Sequence, residues 1–279
     1  MPGLKPGNLA DRVAVIAAIR RAMESIDVRA NSRGADLTIV IPDAAVRVLL
    51  LDFDALPTKL SEALPIVRFR LKKLLPFEAD DAMVSYQVMS SSRSSVQVLA
   101  VAIPRDVLQE YETAVREAGF DPGAVLPSTL AALAGLAAGE PSLVVNASHA
   151  GITTAITRDS VLLLHRSVDL QAQPAGIDAT VPPQLEQRSS DDLANEIAQA
   201  VSVAVAYFED TLSAPPSTIL SAGGLTADSL RDLLSSNGYS EADALHVGEL
   251  IDASAFSAGA VTGSIPRGSL AGVRGALRG

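Results

Sequence analysis

The hydrophobic pattern of the first half of the chain changes period several times. In residues 11–24, Val13, Ile16 and Ala17 lie on one helical stripe, and Asn8 in front of them is a candidate N-cap. Residues 82–89 instead alternate in polarity, which is typical of a half-buried strand. By the same criteria we predict strands at 37–41, 46–53 and 96–103 and helices at 61–75 and 105–118, with Gly119 ending the last helix.

The second half is predicted to hold a cluster of strands and one long helix. Short apolar runs predict strands at 143–146, 153–157 and 161–167. Residues 171–190 are polar and rich in Pro, as in a loop or linker. The apolar positions of residues 192–212 repeat close to every 3.6 residues and predict the longest helix. We further predict strands at 218–220 and 244–247 and helices at 226–235 and 269–277.

These elements predict an α/β protein of two domains. The first domain covers residues 1–139 and the second residues 140–279, with the boundary at the Gly139–Pro141 segment. Residues 53–123 follow the order helix, strand, strand, helix, so we expect them to form a small α+β subdomain inserted in the first domain.

Composition narrows the functional classes. The chain has 279 residues, of which 48% are hydrophobic and 19% charged, so it can build a globular core. Its net charge of −10 argues against a general nucleic-acid binder. Trp is absent and aromatics are 4%, so few side chains can stack on bases or sugars. With no Cys and three widely spaced His, disulfides, thiolate metal sites and a histidine relay are not expected.

No segment has the pattern of a membrane or secretion signal. The first residues lack the apolar stretch of a secretory signal. Residues 123–139 carry no charge, but they are mostly small and too few to cross a bilayer. We therefore expect a cytoplasmic protein without a membrane span of its own.

Two small-residue turns have the character of nucleotide sites. The turn 147–151 follows a strand, and its backbone N–H groups could cradle a phosphate beside the hydroxyls of residues 153 and 154. It offers one Gly and no acid to organise magnesium, so an ordinary hairpin is the alternative. The Gly223-Gly224 pair also lies between a strand and a helix, where it could admit a nucleoside or simply allow close packing.

A basic run is the third candidate. Residues 68–73 mix cations with apolar side chains and could meet an acidic partner or anionic lipid, or could form a solvated helix face.

Several short segments follow one another in a characteristic order. They are 7–11 (GNLAD), 37–43 (LTIVIPD), 46–48 (VRV), 56–57 (LP), 68–77 (RFRLKKLLPF), 101–105 (VAIPR), 117–120 (EAGF), 196–211 and 218–224 (TILSAGG). This order resembles the PilM family, the actin-like cytoplasmic proteins of type IV pilus assembly, which are related to FtsA of cell division and GspL of type II secretion. The resemblance extends over nearly the whole chain and rests on order rather than on one motif.

The resemblance implies an actin-like (ribonuclease H-like) two-domain fold with a degenerate nucleotide site. In the family a first phosphate loop precedes the segment that matches residues 7–11, so we expect it to be absent here. The acid of the second loop is replaced by Asn146, and the subdomain at about 167–212 is shortened. We therefore expect a pseudo-ATPase that needs no cofactor and no magnesium. Residual ATP binding would involve Asn146, Ser148, Gly151, Thr153, Thr154, Gly223 and Gly224.

The resemblance also implies partners. The chain would be a cytoplasmic scaffold of a type IV pilus or type II secretion complex, docked at the inner membrane by gripping the cytoplasmic N-terminal peptide of a PilN-like membrane protein. Other inner-membrane assembly proteins are further partners, nucleic acid is not, and self-association stays open. The expected peptide-binding residues are Leu56, Pro57, Arg68, Phe69, Lys72, Lys73, Leu75, Pro76 and Phe77.

Two alternatives accompany this interpretation. The first is an active actin-like ATPase whose first phosphate-loop strands are missing from this chain. The second is a cell-division scaffold like FtsA, which would carry a C-terminal amphipathic membrane helix. Residues 269–279 contain little bulky apolar surface, which disfavours the second alternative.

Overall fold

A computed structural model describes residues 3–25, 36–136, 139–170, 190–237, 246–251 and 267–277. The chain divides into two compact units, one of Met1–Ala134 with Gly275–Gly279 and one of Gly135–Arg274. The boundary lies after Ala134, a few residues before the one that the sequence suggests. The last residues return to the first unit.

In its described residues, the first unit contains two separate sheets and four α-helices. Strands β2, β4 and β3 form an antiparallel sheet in that order, and β1 pairs with β5 in parallel. The pairing of β3 with β4 confirms the predicted hairpin. The strands are β1 (Asp36–Ile41), β2 (Arg47–Phe53), β3 (Ala82–Ser91), β4 (Val96–Pro104) and β5 (Asp121–Pro127), and the helices are α1 (Arg12–Ser25), α2 (Leu60–Leu71), α3 (Arg105–Ala118) and α4 (Ser128–Leu133).

Helix α2 covers one face of the three-stranded sheet. Its buried residues Ala63, Val67 and Leu71 recur every four positions and face a sheet surface that includes Val84 and Ala100. The sheet begins at Arg47 and ends at Pro104, so it starts earlier than the insertion that we expected at 53–123. Helix α3, which we placed in that insertion, contacts α1 and β5 as well as β3 and β4.

A second core in this unit joins β1, β4 and α3. Ile41, Ile103, Val107 and Tyr111 are buried together there.

The start of α1 differs from the expectation, because the Asp11 carboxylate caps it by accepting from the Ala14 N–H at 2.9 Å. Asn8, the predicted cap, instead lies among the residues that precede the helix and donates to the Lys5 carbonyl at 2.9 Å.

The segment before α1 is tied to α3 by one carboxylate. Glu110 accepts from the backbone N–H groups of Gly7, Asn8 and Leu9 at 3.0, 3.1 and 2.8 Å. Burial raises the pKa of the Glu110 carboxyl, but the bonds from Leu9, Asn8 and Gly7 outweigh it, so the net pKa lies below its usual value. The carboxylate is therefore stabilised in the folded protein.

A pH dependence follows from this contact. Because the folded pKa is lowered, the stabilisation is present above the unfolded value of about 4.3 and is lost as pH falls through the folded value. We expect Glu110→Gln to lower the free energy of unfolding by about 1 kcal/mol at pH 7, with the difference shrinking below about pH 4. Urea unfolding at both pH values measures it. Glu112→Gln, which removes an exposed i,i+4 pair with Arg116, is the control and should cost under about 0.5 kcal/mol. An equal loss in the two variants would contradict the prediction.

The second unit is built on one five-stranded sheet. The strand order is β10-β9-β6-β7-β8, in which β10, β9 and β6 are parallel and β7 is antiparallel to both β6 and β8. The strands are β6 (Ser142–Ala147), β7 (Gly151–Arg158), β8 (Val161–Asp169), β9 (Thr218–Gly223) and β10 (His246–Glu249), and the helices are α5 (Ser190–Leu212), α6 (Ala227–Ser236) and α7 (Ala271–Ala276).

Helices α5 and α6 bury one face of this sheet. Ile197, Val201 and Phe208 of α5 share a core with Leu143 and Ile219 from neighbouring strands, as the predicted helical stripe requires. The predicted loop 171–190 and the first residues of the predicted strand 244–247 lie outside the described residues, apart from Ser190, with which α5 begins.

Candidate functional site

The predicted nucleotide residues lie at one edge of the five-stranded sheet. The parallel strands β6 and β9 both end there, and β7 begins there because it runs the other way. Ala147 is paired with Gly223 on one side and with Ile152 on the other. The turn 147–151 and the glycine pair are therefore neighbours, as the sequence suggests.

The backbone amides of that turn are already bonded within the chain. The Ser148 N–H donates to the Gly151 carbonyl at 2.9 Å. The Ser148 hydroxyl oxygen accepts from the N–H groups of Ala150 and Gly151 at 3.2 and 3.3 Å. A phosphate cradle needs such N–H groups to point at the ligand. In this conformation these three amides do not fit that role.

Gly223 is enclosed by the protein's own backbone. Its φ of 80° lies in the left-handed region. A Cβ at this position would overlap the Ala147 carbonyl oxygen and come within 2.5 Å of the Asn146 side-chain oxygen. On the other side, a Cβ on Gly268 would lie 2.6 Å from the Gly223 carbonyl oxygen. Close chain packing is therefore a sufficient reason for Gly at 223.

Gly224 has a more open surrounding. Of the described atoms, a Cβ there would meet only the Ala147 carbonyl oxygen, at 3.7 Å, and the Gly224 N–H donates to that oxygen at 2.7 Å. Gly151, by contrast, approaches β8 closely, since a Cβ would lie 2.8 Å from the Val168 carbonyl oxygen.

The two predicted threonines lie on opposite faces of the sheet. The Thr153 hydroxyl pairs with that of Ser167 at 2.9 Å, in the row that also contains Asn146. Thr154 points to the other face, and its buried hydroxyl oxygen has no hydrogen-bond partner among the described residues. The structure thus brings Asn146, Ser148, Gly151, Thr153 and the glycine pair to one end of the sheet. Thr154 lies on the opposite face of the sheet from Thr153.

The predicted peptide-binding residues around α2 divide into two groups. Leu56, Leu75 and Phe77 are half-buried against the core between α2 and its sheet. The others are not part of that core. Pro57 and Arg68 are half-buried, and Phe69, Lys72, Lys73 and Pro76 are exposed.

Two of the predicted cations hold parts of this chain. The Arg68 guanidinium donates to the carbonyls of Ala79 at 3.0 Å and Ala82 at 3.3 Å. Lys72 forms an exposed ion pair with Asp80 at 3.2 Å. Arg68 therefore fixes the end of α2 to the start of β3, and its replacement would disturb local structure as well as any surface contact.

A cleft that the sequence did not indicate lies on the other face of the same sheet. It is a cavity of about 240 Å³, which we call the β3–β5 cleft. Its lining residues are Ile41, Val46, Met83, Ser85, Val101, Ile103, Leu108, Glu112, Gly123, Val125 and Pro127. The alternation of β3 was visible in the sequence, but the cleft needs β5 opposite it, and β5 was not predicted.

Within the described ranges, no group of three or more His, Asp or Glu side chains could hold a metal ion. None of the helices in those ranges is long and apolar enough to cross a membrane.

Comparison with solved structures gives a likeness in fold. The chain resembles a structure of the PilM–PilN type IV pilus biogenesis complex, with a TM-score of 0.62 and 17% identity over 99% of this chain and 89% of that one. It has a PilM-like fold. This confirms the actin-like fold that the sequence resemblance implied. No protein-family model and no curated protein matches the sequence.

Two weaker likenesses were found as well. One is the cytoplasmic domain of EpsL, an inner-membrane component of the type II secretion system of Vibrio cholerae, with a TM-score of 0.35, 17% identity, and coverage of 54% of this chain and 56% of that one. The other is a Bacteroides thetaiotaomicron protein with an actin-like ATPase fold, with a TM-score of 0.42, 9% identity, and coverage of 79% and 72%.

Proposed function

We propose that this protein is a scaffold of a type IV pilus or type II secretion apparatus that holds the cytoplasmic N-terminal segment of a PilN-like membrane protein. The observation that carries the proposal is the PilM-like fold over 99% of the chain, because the structure it resembles is a PilM–PilN complex. On this proposal the protein works on the cytoplasmic side of the inner membrane, reaches it through its partner, and meets other assembly proteins there.

The β3–β5 cleft is the docking site that we propose for the segment. A short peptide needs a concave apolar wall with a few polar groups at its rim. Met83, Val101 and Val125 supply an apolar wall, and Ser85 and Glu112 are polar groups in the lining. Met83 is 43% exposed, and a flexible thioether adapts to a range of apolar side chains.

The sheet next to the cleft also favours an extended ligand. Among the described strands, β3 is at the edge of the order β2-β4-β3 and pairs with β4 alone. An edge strand offers unpaired backbone groups to which an extended segment can add. Residues at alternate positions of the added segment would then point into the cleft.

One pair of matched variants tests this site. Met83→Asp places a charge in the apolar wall, and we expect it to weaken binding of a PilN-type N-terminal peptide at least about tenfold, because a buried unpaired charge is costly. Val88→Asp is the control: it lies on the same strand, is 45% exposed and is not part of the cleft lining. Titration calorimetry measures both affinities.

The same titration shows whether the peptide binds in the cleft or on the surface around α2 that the sequence suggested. Lys73→Glu changes an exposed cation in the turn just after α2 and leaves the contacts of Arg68 in place. Peptide affinity that falls with Lys73→Glu but not with Met83→Asp would assign the peptide to the α2 surface and reject the cleft.

We also propose that the protein does not hydrolyse ATP. Phosphoryl transfer depends on groups that cradle the phosphates and on a carboxylate-held metal. Support comes from the internally bonded amides of the turn at Ser148 and from Asn146 in place of an acid. The packing around Gly223 supports the same proposal.

We expect no magnesium-dependent phosphate release from ATP above a buffer control. Colorimetric phosphate detection on the purified full chain measures it. Gly224→Ala serves as the matched variant, since the surrounding of Gly224 tolerates a Cβ. Release that exceeds the control and disappears in Gly224→Ala would favour an active ATPase instead.

A further inference from the structure

The end of α2 and the turn after it carry an exposed patch that combines cations with large apolar side chains. Phe69 is 70% exposed and Leu74 is 49% exposed. Arg70 and Lys73 are exposed as well, and the side chain of neither forms an ion pair or a hydrogen bond with another described residue. We call these four residues the α2 end patch.

The patch keeps helical spacing beyond the last residue of α2. The Lys72 N–H donates to the Arg68 carbonyl and the Leu75 N–H to the Leu71 carbonyl, both at 3.0 Å, so the backbone continues helically into the following turn. Residues three or four positions apart are neighbours on such a surface. Positions 69, 70, 73 and 74 therefore place the two apolar and the two basic side chains beside one another.

The local charge is opposite in sign to that of the whole chain. The net charge of the chain is −10, but residues 63–77 contain four cations and no acid. Two of these cations belong to the patch and are free among the described residues. A surface of this kind attracts an anionic partner.

Two neighbouring acids are paired with cations outside the patch. Asp80 forms an ion pair with Lys72, on the side of α2 where Arg68 also bonds to the segment before β3. Positions 68 and 72 lie about 100° around the helix from positions 69 and 73. On the side of the patch, Glu62 is paired with Lys59 at 3.3 Å. Neither acid pairs with a cation of the patch.

The shape of the patch favours a lipid surface over a peptide. The opposite side of α2 packs on the three-stranded sheet, so the patch is the convex outside of the helix, and Phe69 projects from it. A peptide needs a concave wall, and the open cavity on α2 is lined by other residues, including Leu64 and Pro65. A membrane interface accepts a projecting aromatic ring, and its anionic headgroups attract the cations beside that ring.

We propose that the α2 end patch binds the surface of a membrane that contains anionic lipids. Phe69 and Leu74 enter the headgroup region, and Arg70 and Lys73 contact lipid phosphates. The proposal goes beyond the proposed function, in which the protein reaches the membrane through its partner. The patch and the β3–β5 cleft belong to opposite faces of the three-stranded sheet, so lipid binding and peptide binding can be measured separately.

Binding by the patch alone should be weak and dependent on salt. Its cations are fewer than the four to eight of a strong lipid-binding cluster, so we expect a lipid dissociation constant above the roughly 0.1 mM of a single myristoyl chain. Cosedimentation of the full chain with vesicles of phosphatidylcholine and about 30% phosphatidylglycerol measures it at about 0.05 M salt. We expect the binding to disappear at about 0.5 M salt and with vesicles of phosphatidylcholine alone.

Charge reversal tests the basic half of the patch. Arg70→Glu/Lys73→Glu should weaken binding to the anionic vesicles at least about tenfold. Arg158→Glu/Arg166→Glu is the matched control, because it reverses two exposed cations of the second unit and changes the net charge by the same amount. The control should stay within about threefold of wild type. Equal losses in the two double variants would overturn the proposal.

Phe69→Ser and Val88→Ser test the apolar half, since both replace exposed apolar residues and only Phe69 belongs to the patch. We expect Phe69→Ser to weaken vesicle binding about fivefold and Val88→Ser to leave it unchanged. The proposal is wrong if wild type fails to bind anionic vesicles at low salt, binds neutral vesicles equally well, or binds no better than Phe69→Ser. Loss of affinity for the PilN-type peptide in Arg70→Glu/Lys73→Glu would also overturn it and assign the patch to the peptide.

Discussion

Replacing Gly223 by Ala is expected to lower the free energy of unfolding of the second unit by about 3 kcal/mol or more. Two penalties combine at this position. The φ of 80° is strained for any residue with a Cβ. The added carbon would also overlap the Ala147 carbonyl oxygen, a backbone atom that cannot move aside without disturbing β6. Urea unfolding followed by far-ultraviolet circular dichroism measures the loss, because the chain has no Trp.

The neighbouring glycine is the control for that measurement. Gly224→Ala should change stability by less than about 1 kcal/mol, since its Cβ would be in ordinary contact with one oxygen at 3.7 Å. If both substitutions lower the free energy of unfolding only slightly, close packing does not explain Gly223. Ligand binding would then be the better explanation for the glycine pair.

Removing the Asp43 carboxylate is expected to destabilise the first unit by about 3 kcal/mol. Asp43 is only 8% exposed and connects the end of β1 to the start of α4. It accepts from the Thr129 N–H at 3.1 Å and the Ser128 hydroxyl at 3.0 Å, and from the Thr129 hydroxyl as well. Asp43→Ala would leave the fully buried Thr129 with unsatisfied donors, each costing about 1–3 kcal/mol. Thermal and urea unfolding of the variant measure the effect.

Asp11→Ala provides the comparison for Asp43. Both carboxylates satisfy an N–H in the first turn of a helix, but Asp11 makes one such bond from an exposed position. The cost at Asp11 should therefore stay near or below about 1 kcal/mol. Similar losses at the two positions would mean that burial of Asp43 contributes little.

Much of the secondary structure could be predicted because its patterns are local. The helix at 105–118 was predicted with the bounds that the structure shows. Its apolar stripe lies between Pro104 and Gly119, and Gly119 ends the helix with a φ of 98°. The alternation of residues 82–89 likewise reports the two faces of β3, one toward α2 and one toward the cleft.

Strand β5 could not be predicted from its own residues. It contains Pro122 and Gly123, which are breakers in a sequence pattern, and it exists because it pairs in parallel with β1. A two-stranded sheet leaves one side of each strand outside the ladder, so Pro122 is tolerated. The β3–β5 cleft was missed for the same reason, since Gly123, Val125 and Pro127 of its lining belong to this strand.

The candidate sites show the same limit. The sequence indicated that residues 147–151 form a small-residue turn, but not that the Ser148 hydroxyl takes up two of its amides. It indicated a basic run at 68–73, but not that Arg68 bonds to the carbonyls of Ala79 and Ala82. In both places, groups that the sequence suggests are available to a ligand form hydrogen bonds within the protein instead. The structure is needed to see these bonds.

The parallel pair of β1 and β5 has a consequence for the order in which the first unit folds. The whole three-stranded sheet lies between these two strands in sequence, so their contacts are distant while those of β3 with β4 are local. Closing a long loop is entropically slow. Once the hairpin has formed and β2 has joined it, Val46 and Ile103 already share the core that receives Ile41, and the open loop becomes much shorter. We therefore expect β1 and β5 to pair last when the first unit folds and to separate first under denaturing stress.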